Sequence, residues 1–171
     1  MLKLLCYFLQ DEDVAPSEGI DLAKGLMLRG PVGCGKTSLM NIMRLLCPDE
    51  YRPVMAAARD VAMEFSRMGY NVVLKYGREA FSPYTNAPRV HCFDDLGLEQ
   101  VTTFWGNTCN VMAEILLSRY DLFISHKMVT HVTTNKNSEE LEAQYGNRLR
   151  SRMREMFNVV GFSEKSSDKR K

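Results

Sequence analysis

The chain has 171 residues, 45% of them hydrophobic and 25% charged, with a formal net charge of +1. That length suits one α/β domain with a full core and leaves little room for two. The near-neutral balance excludes a protein that is basic throughout, while leaving room for a local basic patch.

Met1–Leu9 is apolar apart from Lys3 and runs into Asp11-Glu12-Asp13. Its apolar run is short and no small-residue cleavage site is evident, so it reads as a helix or strand packed on the core rather than a signal peptide. No stretch approaches the roughly 18 to 20 apolar residues of a membrane-spanning helix. We therefore expect no membrane association and a cytoplasmic location. Residues 11–24 form a polar connector with Pro16 and Gly19. Gly25–Arg29 is a short apolar run suited to a buried strand, and Ser38–Leu46 carries mostly helix formers up to the break at Pro48.

Arg52–Ala58 can form a second strand. Asp60–Gly69 suits a helix, with Val61, Phe65 and Met68 on one face. Asn71–Tyr76 is compatible with either a strand or a continuing helix. Phe81–Pro88, with two prolines and an asparagine, is a surface loop. Arg89–Phe93 is a third strand that ends in two aspartates. Asn107–Tyr120 reads as an amphipathic helix with Cys109, Met112, Leu116 and Tyr120 in one stripe. Met128–Thr134 is a fourth strand. Ser138 can cap a helix whose first turn carries Glu139 and Glu140. Phe157–Gly161 is a candidate fifth strand, and the charged tail Ser163–Lys171 lacks apolar anchors and is expected to be disordered. Strands alternating with helices predict an α/β fold with a mainly parallel five-stranded sheet, and a ligand beyond the carboxyl ends of its strands.

Residues 30–37 read Gly-Pro-Val-Gly-Cys-Gly-Lys-Thr. This is a complete G-x-x-x-x-G-K-[ST] phosphate-binding loop between a strand and a helix. Gly30, Pro31, Val32, Gly33, Cys34 and Gly35 supply backbone around the phosphates, with Ser38 at its far end. Lys36 adds charge toward the β/γ-phosphates and Thr37 offers a hydroxyl to Mg²⁺. The five cysteines, at 6, 34, 47, 92 and 109, show no C-x-x-C pair and no metal-ligand spacing, which fits reduced thiols better than a disulfide framework. Cys34 lies inside the loop, so a thiol reagent is expected to block nucleotide binding.

Val90-His91-Cys92-Phe93-Asp94-Asp95 is a hydrophobic strand ending in acids, the form of a Walker-B element. Asp94 is placed to hold Mg²⁺ and Asp95 to orient the attacking water. Val132-Thr133-Thr134-Asn135 puts a neutral amide at the end of the fourth strand. Asn135 can hydrogen-bond a γ-phosphate or the lytic water, or simply serve the turn. Four arginines alternate in Arg148-Leu149-Arg150-Ser151-Arg152-Met153-Arg154. On a helix Arg148 and Arg152 share one face, Arg150 and Arg154 the next, and Leu149, Met153 and Met156 turn to the core. One arginine could serve a neighbouring subunit as an arginine finger, others could meet nucleic-acid phosphates, or the set could be a solvated basic face.

Together these blocks resemble the AAA+ ATPases, and within them the helicase-loader and transposition-ATPase branch of the DnaC and IstB type. The resemblance spans about Gly25 to Val160, and also rests on Asp94-Asp95-Leu96-Gly97, Ile115-Leu116-Leu117-Ser118-Arg119-Tyr120 and Tyr145-Gly146-Asn147-Arg148. It implies a P-loop three-layer sandwich that binds ATP and Mg²⁺. It makes Asn135 the phosphate sensor and Arg152, of a Ser-Arg pair, the trans-acting finger, so the protein would be a homo-oligomer when ATP-bound. It also implies contacts to single-stranded DNA near Arg59–Gly69 and a helicase or transposase partner. Asp95 stands where AAA+ proteins more commonly carry Glu. No helical lid is expected, and an extension over 1–24 precedes a core over 25–162. Two other readings fit the phosphate loop: a kinase for a nucleoside or nucleotide, and a nucleotide-dependent adaptor with little turnover.

Overall fold

The structure, a computed structural model, describes residues 1–163. The tail expected to be disordered lies outside the described residues, apart from Ser163. In chain order the elements are α1 (Leu2–Phe8), β1 (Gly25–Arg29), α2 (Lys36–Met43), β2 (Val54–Ala57), α3 (Ala58–Met68), α4 (Asn71–Tyr76) and β3 (His91–Asp94). There follow β4 (Thr102–Phe104), β5 (Asn107–Cys109), α5 (Val111–His126), β6 (Thr130–Thr134), α6 (Ser138–Met156) and β7 (Phe157–Gly161).

Five of these strands form one parallel sheet in the order β2-β3-β6-β1-β7. Both faces of that sheet are covered, which is why β1 reads as an unbroken apolar run rather than an alternating one. In β1 successive side chains still point to opposite faces. Leu26 and Leu28 enter a core with Leu4, Phe8, Met40 and Met43 from α1 and α2. Met27 enters the opposite core, with Phe93 and Val132 of the sheet and Phe65, Leu116 and Leu149 of the helices. Each such fully buried leucine contributes about 2 kcal/mol of hydrophobic stabilisation. The result is helix–sheet–helix layering, and residues 1–24 are part of it, since Ala15 and Ile20 are buried with α1. No helix among the described residues is long and apolar enough to cross a membrane.

Asn71–Tyr76, open between strand and helix in the sequence, is helical. The structure departs from the sequence expectations in three places. In α3 the buried face is Ala58, Val61, Ala62 and Phe65, while Met68 is exposed. The helix expected from Asn107 begins at Val111, because Asn107–Cys109 pairs antiparallel with Thr102–Phe104 across a Trp105-Gly106 turn in which both residues have positive φ. Asn110 then caps α5, its side-chain oxygen accepting from the Ala113 N–H at 3.2 Å. The cap of α6 is Asn137 rather than Ser138: Asn137 accepts from the Glu140 N–H at 2.9 Å while the Glu140 carboxylate accepts from the Asn137 N–H at 2.7 Å. This reciprocal pair satisfies two otherwise orphaned donors. The expected arginine helix is the second half of α6, kinked at Gly146, whose φ of 82° suits glycine.

Candidate functional site

All five strands run the same way, so their carboxyl ends share one edge. Arg29 pairs with Thr134 and Ala57 with Asp94 at that edge. The loop after β1 turns there into the N-terminus of α2. Gly35 is the N-cap of α2 and sits at φ 94°, a left-handed turn that a side chain would strain. The free N–H groups of that first helical turn face the loop's concavity, the usual anion-binding end of a helix.

A cleft of about 270 Å³ opens at this point. The phosphate loop lines it with Val32, Gly33 and Gly35, and α2 with Lys36, Thr37 and Ser38. The far wall is Asp95, Leu98 and Asn135. A second cleft beside it is lined by Arg29, Gly30 and Pro31 with Asn135, Asn137, Glu140 and Phe162.

Lys36 is buried to 5% exposure. Its ammonium donates to the Gly30 and Pro31 carbonyls, both at 2.9 Å, and to Asn135 Oδ1. Among the described residues no carboxylate pairs with it. A buried cation held only by neutral oxygens leaves its charge uncompensated, which favours an anion beside it. Cys34 Sγ also lies 3.9 Å from this ammonium, but the cysteine is only 1% exposed. The expectation that a thiol reagent reaches it is therefore corrected: the side chain points into the protein, and its backbone faces the loop.

The Thr37 hydroxyl donates to Asp94 at 2.9 Å. One hydroxyl and one carboxylate, both hard oxygen donors, suit Mg²⁺, which keeps several waters and completes its shell with substrate phosphates. Among the described residues no cluster of three or more His, Cys, Asp or Glu could hold a metal by itself.

Thr133 supports this pair, and the sequence reading missed it. Its hydroxyl, fully buried, donates to Asp94 Oδ1 at 2.6 Å and accepts from the Asp95 N–H at 2.9 Å. It thereby orients both acids of the strand end. Asp95 takes φ 55°, a conformation Asp tolerates better than most residues, and this turns it to the cleft. Thr134 ties the same loop down, donating to the Leu96 carbonyl at 2.7 Å. Glu99, also missed, is buried beyond it and accepts from the Gly97 N–H at 2.8 Å and from the Tyr145 hydroxyl. The tyrosine's pKa is pushed far up, first by burial and then by the Glu99 charge.

The arginine run lies elsewhere. Leu149, Met153 and Met156 are buried as expected. None of Arg148, Arg150, Arg152 or Arg154 lines either cleft. Arg152 instead lies over the Tyr120 ring of α5, its guanidinium carbon 4.7 Å from the centroid. On α3, Arg59 and Arg67 are both exposed, with Arg59 3.7 Å from Asp60.

No protein-family model and no curated protein matches the sequence. Solved structures do match the fold. The DnaC helicase loader aligns with a TM-score of 0.58 at 19% identity, over 82% of this chain and 79% of its own. A primosome component from Streptococcus pyogenes serotype M3 aligns with a TM-score of 0.62 at 16% identity, over 95% and 77%. AMPPCP-bound DnaA from Aquifex aeolicus aligns with a TM-score of 0.64 at 16% identity, over 94% of this chain but 44% of DnaA. The parallel sheet, the phosphate loop at its carboxyl edge and these alignments agree: the chain has a DnaC-like AAA+ fold.

Proposed function

We propose that this protein is an ATP-binding, Mg²⁺-dependent ATPase that acts as an oligomerising switch in DNA replication or transposition, in the manner of a helicase loader. The observation that supports it most is the convergence of Lys36, Thr37, Asp94, Asp95 and Asn135 on one strand-end cleft, while every arginine of α6 lies outside it. The ATPase core then runs over 25–162, with residues 1–24 packed onto it.

In this reading Lys36 meets the β/γ-phosphates, exchanging its carbonyl contacts for them. Thr37 and Asp94 would hold Mg²⁺, whose charge would offset that of the phosphates. Asp95 aligns a water for in-line attack and accepts its proton. Asn135, held by the Lys36 ammonium, reports the γ-phosphate through its amide. Arg152 of an adjacent copy stabilises charge in the transition state, a contribution on the order of 10³-fold or more. Single-stranded DNA would meet the α3 face around Arg59 and Arg67, and a helicase or transposase would be the protein partner, by analogy with the helicase loaders of similar fold.

The test is phosphate release at protein concentrations where light scattering shows oligomers, with and without single-stranded DNA. ATP-dependent assembly and loss of turnover in Arg152→Ala support the reading. Wild-type turnover in that variant would sink the trans-acting arginine. Phosphate transfer to a nucleoside rather than water would replace the switch by a kinase. Tight ATP binding with no turnover in the assembled wild type would leave an adaptor.

A further inference from the structure

Arg152 and Glu155 sit three residues apart on α6, one turn of opposite charge, yet they do not pair. Tyr120 of α5 lies between them. Its hydroxyl donates to Glu155 Oε2 at 2.8 Å. Its ring face carries the Arg152 guanidinium, 4.7 Å from the centroid. Tyr120 is half-buried and packs against the core that joins α5 and α6. The carboxylate is thus occupied by the hydroxyl, and the cation by the ring.

This arrangement differs in kind from a salt bridge. A carboxylate would take the in-plane N–H donors of the guanidinium. The Tyr120 ring beneath the guanidinium carbon attracts the cation through its π face and offers no carboxylate oxygen to those donors. Among the described residues no hydrogen bond or ion pair engages the Arg152 N–H groups. The side chain is therefore oriented while its donors stay available for a phosphate.

We propose that Tyr120 is a positioning residue for the trans-acting arginine: it holds Arg152 extended at the subunit surface, with its N–H groups free for the ATP of the neighbouring copy. This rests on the reading of Arg152 given above. Tyr120 itself touches no substrate. Its contribution is pre-organisation, so it acts on kcat rather than on ATP affinity.

The experiment measures ATP turnover of the assembled full-length chain for Tyr120→Phe, Tyr120→Leu and Arg152→Ala, with ATP affinity measured in parallel. Tyr120→Leu keeps apolar bulk and removes the ring. We expect its kcat to fall about two- to five-fold, the worth of one exposed cation–π contact, with KM unchanged. Tyr120→Phe keeps the ring and should retain more than half of the wild-type kcat. The decisive arm mixes Tyr120→Leu with an equal amount of Lys36→Ala. The Lys36→Ala copy cannot turn over ATP, yet it presents an intact Tyr120–Arg152 pair to its neighbour. Turnover per Tyr120→Leu subunit should rise in the mixture.

Wild-type kcat in Tyr120→Leu overturns the proposal, and so does an equal loss in Tyr120→Phe. A mixture in which turnover per active subunit does not rise also overturns it, because Tyr120 would then act within its own subunit. If Arg152→Ala retains the wild-type rate, the parent reading fails. If Arg152→Ala is inactive and Tyr120→Leu is not slowed, the tyrosine alone fails.

Discussion

Arg119 is fully buried, and no carboxylate accompanies it. Its Nε donates to the Thr130 hydroxyl at 2.7 Å, and its two terminal nitrogens donate to the carbonyls of Tyr76, Arg89 and Val129 at 2.9, 3.0 and 2.9 Å. Val129 immediately precedes β6 and Arg89 lies two residues before β3; the opposite ends of these strands carry Asp94 and lead to Asn135. Arg119 therefore ties together the bases of the two strands that position the acid and the amide. Burial pulls its pKa down to about 9, so it remains charged at pH 7. Consider Arg119→Met, which nearly keeps the volume and removes all five donors. Three part-buried carbonyls and the buried Thr130 hydroxyl lose their partner, at about 1–3 kcal/mol each, offset in part because a buried charge is also removed. A net loss of about 4 kcal/mol is expected, a large share of the stability of a typical domain. For a chain of this size that lowers Tm by about 8–16 °C. Arg119→Lys keeps the charge and fewer donors, so it should fall between the two. The assay is urea unfolding followed by far-UV circular dichroism. An Arg119→Met variant within about 1 kcal/mol of wild type would refute the reasoning, because those carbonyls would then be finding water.

Acid should destabilise the fold through two histidines. Burial, reinforced by the Arg119 charge, lowers the pKa of His91 to about 4 and that of His131 to about 3. His131 must also stay neutral at Nδ1 to accept the Leu26 N–H at 3.0 Å. The unfolded chain binds these protons near pH 6.5 and the folded one does not, so this stability is complete above that pH and is lost as pH falls toward 4 and 3. The loss is on the order of 3 kcal/mol per histidine, and urea midpoints at pH 7.5 and 4.5 measure it. Thr133→Val removes the hydroxyl that orients Asp94 and Asp95. Its Mg²⁺ requirement for turnover should rise about 10- to 100-fold, as for other groups that orient a metal's ligands, and a metal titration of ATPase activity reads it. Asp95→Asn should bind ATP as the wild type does and lose about 10²- to 10⁴-fold in kcat. A variant that weakens ATP binding and leaves kcat intact would place Asp95 on the nucleotide instead.

The parts of this protein that could be read from the sequence are those where backbone geometry dictates residue type over a short span. A left-handed turn into a helix calls for Gly35, and Lys36 and Thr37 follow at once, so the loop can be read without its surroundings. The apolar run of β1 is legible because both faces of the sheet are covered. The hairpin of β4 and β5 was not, because its turn is Trp105-Gly106 rather than an Asn-Gly or Asp-Gly pair, and Cys109 and Met112 happen to keep helical spacing across the true cap at Asn110. Glu99 and Tyr145 lie 46 residues apart, and Arg119 and Tyr76 lie 43 apart. At such separations a sequence shows the residue types and not which of them meet. The arginine run lies between these cases. Buried Leu149 and Met153 fix the phase of α6, and that much follows from periodicity. Phase leaves Arg148 and Arg152 on one face as equals. What separates them is a ring from another helix: Arg152 has Tyr120 beneath its guanidinium. An arginine becomes a defined chemical group at a surface only when something fixes its direction without using its donors, and that property belongs to the packing of α5 on α6 rather than to the run of arginines itself.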